Sequence, residues 1–184
     1  MNPLTFTLAA YLAYAFSAGL APAWTFGGVA PDPLLVLMLF VGLNAPRPTT
    51  LLTALCLGVL ADLRPGPLPG GAVLVGPHAL GYLLGGYAVL QLRGLLSTRS
   101  VVSLVVMTLL VGALEALASV LVVSLRGLPL LAGDPAPWRA TTELLTRARG
   151  LLLTAALAAP LGLLLNATRK WWSFTARARH EKVF

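Results

Sequence analysis

The chain is predicted to be an all-α integral membrane protein, a bundle of about six transmembrane helices whose second and third members are short. Three observations predict that class. Of its 184 residues, 58% are hydrophobic and 10% are charged, whereas a soluble domain is about 45–50% apolar and about 25% charged. The mean hydropathy is +0.85; a soluble fold this small could not bury so much apolar surface, and disorder needs the opposite balance of hydrophobicity and charge. The apolar residues also fall into runs bounded by Pro, Gly and charged residues.

A crossing takes roughly 20 apolar residues for about 30 Å of hydrocarbon. The first run is Leu4 to Ala21, with Asn2 suited to cap a helix and Pro3 to its first position. Ala21-Pro22-Ala23 has the small residues of a leader cleavage site. No Lys or Arg precedes the run, however, and proline sits mid-site, so the run is taken as the first span. Leu34 to Leu43 follows Pro31-Asp32-Pro33, and Thr49 to Leu63 ends in Gly58-Val-Leu-Ala-Asp62. Each is about 15–22 Å long, short of a full crossing. They are either short spans in thinned bilayer or a re-entrant hairpin shielded by neighbours.

After a Pro/Gly turn from Arg64 to Gly71 come Gly71 to Leu92, Val101 to Leu125 and Gly150 to Leu165. The stretch from Arg126 to Gly150, which includes Asp134 and Glu143, is expected as an amphipathic surface helix. Residues 1–166 make one polytopic domain, and 167–184 a basic, aromatic tail.

Basic residues orient the bundle. Net charge is +7. One side carries Arg47, Arg93, Arg99, Arg169, Lys170, Arg177, Arg179 and Lys182; the other carries Arg64, Arg126, Arg139, Arg147 and Arg149. Both termini are therefore expected in the cytoplasm. Arg169, Lys170, Trp171 and Trp172 have the composition of a lipid-interface anchor for anionic lipid. No basic region stands apart from the spans, so nucleic acid is not expected as a partner.

Catalytic patterns are lacking. There are two histidines, His78 and His180, without a partner at metal-ligand spacing, and no paired carboxylates or recognised nucleophile or phosphate motif. Neither an enzyme nor a cofactor is expected. Cys56, the single cysteine, lies in an apolar run and is expected as a small buried hydrophobe.

Ionisable groups inside a bilayer are costly unless paired. His78 and Glu115 fall at about 10 Å and about 15 Å from one face, deep enough alike to meet across two spans. A plain hydrogen bond from Ser119, one turn away, is the alternative for Glu115. Asp32, Asp62 and Arg64 share a face, either as a polar cluster that receives a partner or as helix-end charges in water. Small residues recur at four-residue spacing in Ala9/Ala13/Ser17, Ala54/Gly58, Gly81/Gly85 and Gly112/Ala116, a spacing that lets helices approach closely in lipid.

From Pro31 to Arg93 one order stands out. Pro31-Asp32 precedes a short leucine-rich span, Arg47 lies in a tight loop, and a second span ends in Gly58-Val-Leu-Ala-Asp62. A Pro/Gly turn then leads to Gly70-Gly71 and a span with His78, Tyr82 and Gly85 that closes on Gln91-Leu-Arg93. This order resembles the rod shape-determining protein MreD family, with Pro33 and the proline-rich turn from Arg64 to Pro69 as departures. The resemblance implies a non-enzymatic inner-membrane subunit of the bacterial cell-elongation complex. Such a subunit docks an MreC-like bitopic protein and supports peptidoglycan synthesis. Its indirect partners would be an MreB-like filament, a RodA-like glycosyltransferase and a class B penicillin-binding transpeptidase. The resemblance also implies the fold of the substrate-binding subunits of energy-coupling-factor transporters. A vitamin-type solute-binding subunit is therefore the rival reading, with Trp24, Phe26, Trp138, Asp32 and Asp62 as ligand contacts. For the docking reading, the expected surface is Asp32, Asp62 and Arg64, with Gly81 and Gly85 as a helix seat.

Overall fold

The computed structural model describes residues 1–20, 29–64, 76–95, 100–126 and 140–174. Among them the chain forms six α-helices: α1 Pro3–Ala15, α2 Pro33–Asn44, α3 Arg47–Asp62, α4 Pro77–Leu92, α5 Val101–Arg126 and α6 Ala140–Ala167. A π-helical turn, Phe16–Leu20, extends α1, and a 3-10 turn, Thr168–Trp172, extends α6. Two stretches, Val101–Val122 and Thr141–Trp172, are long and apolar enough to cross a membrane.

The hub is α2. Asp32 caps it by accepting from the Leu34 N–H at 3.2 Å, and Pro33 opens it where a missing N–H costs nothing. Twelve residues give it about 18 Å of length. Every residue from Pro33 to Leu43 is buried, and α2 touches all five other helices. A helix apolar on all sides has no polar face to turn outward, so it takes the centre. Pro46 ends it, and Arg93 covers its last turn by donating from Nη1 to the Ala45 carbonyl at 2.7 Å.

Small residues set the other contacts. A Cβ on Gly58 would lie 2.6 Å from the Ala79 Cα, and one on Gly86 would lie 2.9 Å from the Ala54 Cβ, so α3 and α4 touch almost backbone to backbone. A Cβ on Gly81 would lie 2.8 Å from Glu115 Cγ, and Gly85 abuts Val111 Cγ1. The Gly81/Gly85 face, expected to seat a partner helix, is therefore occupied by α5 of the same chain. Gly112 receives Leu151 of α6 in the same way.

Four further expectations change. Residues 140–149 continue into α6 instead of forming a separate surface helix. Nothing between Ala140 and Gly150 breaks the backbone, and Arg147 bonds Glu143 one turn back at 3.0 Å. The fourth helix starts at Pro77, with residues 71–75 outside those described. Cys56 is exposed, not buried. The buried face of α3 runs Thr50, Thr53, Ala54, Leu57, Gly58, Ala61, and residue 56 falls off that stripe.

The last correction concerns Trp172, which is 1% exposed and sits edge-on to Phe40 with ring centroids 5.2 Å apart. Its carbonyl accepts from the Asn2 N–H at 2.9 Å, and the Trp171 carbonyl accepts from Thr5 Oγ1 at 3.1 Å. Ser173 adopts a left-handed φ of 44°, which turns Phe174 back to stack on Trp172. The start of the tail is thus part of the bundle, and Trp172 is a core residue, because this large ring, five residues past the end of α6, packs against Phe40 near the end of α2. Residues 175–184 lie outside those described.

Candidate functional site: a charge network at one end of the bundle

Consecutive helices run in opposite directions, so the start of α2, the end of α3 and the starts of α4 and α6 share one end. Four of the chain's six acidic residues, Asp32, Asp62, Glu115 and Glu143, are engaged there in three linked groups.

The first group is Asp62, the last residue of α3, which is 5% exposed. Its Oδ2 accepts from the N–H groups of Gly76 at 2.8 Å and Ala79 at 3.0 Å, and its Oδ1 from His78 at 2.9 Å. The start of α4 offers unpaired amides and a positive dipole end, and Asp62 meets both. Gly76 holds a φ of 135°, open to glycine and strained for other residues, which aims its N–H at the carboxylate.

In the second group, Asp32 Oδ2 pairs with Arg64 Nη2 at 3.2 Å and accepts the hydroxyl of the buried Tyr82. The Asp32 N–H donates to Thr154 Oγ1 of α6 at 2.9 Å. Burial alone would raise the Asp32 carboxyl. The Arg64 charge and the Tyr82 hydroxyl outweigh it and hold the group below the usual carboxylate value. Burial would likewise lower the Arg64 guanidinium, but the Asp32 charge raises it instead.

The third group centres on Glu115 of α5. Its Oε1 lies 2.8 Å from His78 Nδ1, accepts from Ser119 Oγ at 2.8 Å, and pairs with Arg147 Nη1 of α6 at 3.3 Å. Arg147 in turn bonds Glu143. The His78 and Tyr82 rings stand perpendicular at 6.4 Å, joining this group to the second.

The structure therefore brings Asp32 to Arg64 and His78 to Glu115, and Glu115 also holds Ser119. It turns Asp62 away from a shared cluster and onto backbone amides. Tyr82, Arg147, Glu143 and Thr154 complete the network, although none of them was expected from the sequence as a site residue. The i,i+4 spacing of His78 to Tyr82, and of Glu143 to Arg147, was the available signal. At the other end Lys170 and Trp171 are exposed, Arg169 is half-buried and Trp172 is in the core. Trp24, Phe26 and Trp138 lie outside the described residues. Among the described residues, no three His, Cys, Asp or Glu side chains gather closely enough to hold a metal ion.

Chemically, the network neutralises charge against charge across five helices. Its carboxylates and guanidiniums meet one another or backbone amides, an arrangement that locks helix positions. Compared with known proteins, the chain matches no family model, no curated protein and no solved structure.

Proposed function

We propose that the chain is a non-enzymatic, multi-pass subunit of the bacterial inner membrane, with both termini in the cytoplasm, that seats the helix of an MreC-like bitopic partner within the cell-elongation machinery. One observation carries the membrane part of this reading: the helices are apolar on the outside. On α3 the buried side holds Thr50, Thr53, Ala54, Gly58 and Asp62, while Leu52, Leu55 and Cys56 are exposed. On α4 the buried side holds Gly81, Gly85 and Gly86, while Leu80, Leu84 and Tyr87 are exposed. In water this arrangement wastes the hydrophobic effect; in lipid, small and polar residues belong between helices and leucine belongs outside.

The docking part is supported by the same surface, since a leucine-rich exterior packs against another apolar helix by van der Waals contact. The MreD-like order from Pro31 to Arg93 supplies the class of partner. Affinity purification of the tagged full chain from its own membranes in mild detergent, followed by mass spectrometry, tests the proposal. An MreC-like bitopic protein is the expected companion.

A second reading has its own support. Asp32, Arg64, His78, Glu115 and Arg147 converge at one end while each stays partly open to the outside, which suits a polar solute. Recovery of ATP-binding-cassette subunits and a coupling protein in the same purification would replace the scaffold reading with this one.

A further inference from the structure

The alternating helices sort charge between the two ends. The end described above mixes acids with Arg64, Arg147 and Arg149. The opposite end, among the described residues, carries the amino terminus, Arg47 at the start of α3, Arg93 just past α4, and Arg169 and Lys170 after α6, and no Asp or Glu. Arg47 and the buried Arg93 flank the last turn of α2, and the segment that carries Arg169 and Lys170 is tied to that helix through Trp172. Arg93 donates to Ala45 there, Arg47 follows two residues later, and Trp172 sits on Phe40 one turn before Asn44. Arg47, Lys170 and Trp171 are exposed, Trp171 by 68%. The first turn of α3 has no side-chain cap, so the positive end of its dipole adds to the field.

We infer that this basic end is a docking surface for anionic phospholipid headgroups, an inference that rests on the membrane reading above. Among the described residues its charge is of one sign, and Trp171 lies beside Lys170, where an aromatic ring favours the headgroup level. The surface is also preorganised. Buried Trp172, with the bonds from Asn2 and Thr5 to the Trp172 and Trp171 carbonyls, holds residues 169–171 in a fixed turn against α1. Little ordering is then left to be done on binding. Each Lys or Arg near an anionic surface contributes about fivefold in affinity. The opposite end, where acids neutralise most of the bases, has no comparable pull.

The test is to exchange the full chain, in limiting detergent, into an equal mixture of phosphatidylglycerol and phosphatidylcholine and to quantify bound lipid by mass spectrometry. Phosphatidylglycerol should be enriched, Lys170→Gln should lower the enrichment about fivefold, and Arg149→Gln at the other end should leave it unchanged. Equal binding of both lipids, or equal loss with Arg149→Gln, overturns the inference. Displacement by inorganic phosphate beyond that by chloride of the same ionic strength also overturns it, since the site would then be one for a free anion. A chain that stays dispersed without detergent overturns the membrane reading itself; one that needs detergent but shows no lipid preference overturns only the headgroup surface.

Discussion

Asp62 shows how far one carboxylate governs this fold. It belongs to α3 yet caps α4, so its three bonds set both the start of one helix and its crossing with another. Asp62→Ala should cost about 3 kcal/mol, because buried amides are left unpaired, and Asp62→Asn, which keeps one acceptor, roughly half of that. Gly76→Ala should cost about 1–3 kcal/mol through backbone strain alone, as its Cβ would meet nothing within 4 Å. Unfolding midpoints in a fixed detergent check all three. Asp32 makes a separate prediction. Despite burial, its carboxyl is held below the usual carboxylate value by Arg64 and Tyr82, so the ionised group stabilises the fold above the ordinary carboxylate range and ceases to as pH falls through the depressed value. The acid limb of a stability–pH curve should therefore flatten in Asp32→Asn. An unchanged acid limb would remove Asp32 from the account.

At the scale of elements, glycines decide which helices touch. Gly85→Ala drives a methyl into Val111 Cγ1 and should destabilise by about 1–3 kcal/mol. Gly94→Ala, with nothing within 4 Å of its Cβ, should be close to neutral. Matched melting curves test the pair, and equal effects would mean that α4 and α5 are not in close contact. The boundaries of α2, α3 and α5 were legible, since Asp32-Pro33, Asn44 to Pro48 and Val101 announce themselves through capping residues, prolines and the return of apolar residues. The start of α6 was not. An apolar scan sees Gly150 onward, whereas a helix continues upstream for as long as side chains and backbone allow, and Glu143 and Arg147 support it there. The fate of the Gly81/Gly85 stripe was equally invisible, because spacing shows that a helix packs there but not whose helix it is.

For the whole molecule, the aromatic closure at Trp172 ties the end of α6 to the C-terminal half of α2 and the start of α1. Trp172→Ala should cost about 3–5 kcal/mol and expose the 168–174 segment to limited proteolysis. A variant as resistant as the parent would mean that this segment is not part of the core. The network at the other end has the opposite character. It joins five helices through charge, so Glu115→Ala should cost about 3–5 kcal/mol by leaving His78 and Arg147 without their shared partner. A His78→Ala/Glu115→Ala double-mutant cycle without coupling would dissolve that link.

The sequence by itself determined the helical class, the shortness of α2 and the depth match of His78 with Glu115. All three follow from local composition and from counting residues along a helix of known rise. Only the tertiary structure decided that Asp62 serves α4, that Arg147 turns inward to Glu115, that Cys56 faces out and that Trp172 fills the core. Those outcomes depend on how helices rotate about their own axes against their neighbours. In a chain apolar on nearly every face, the hydrophobic pattern that usually reports such rotation is too uniform to read.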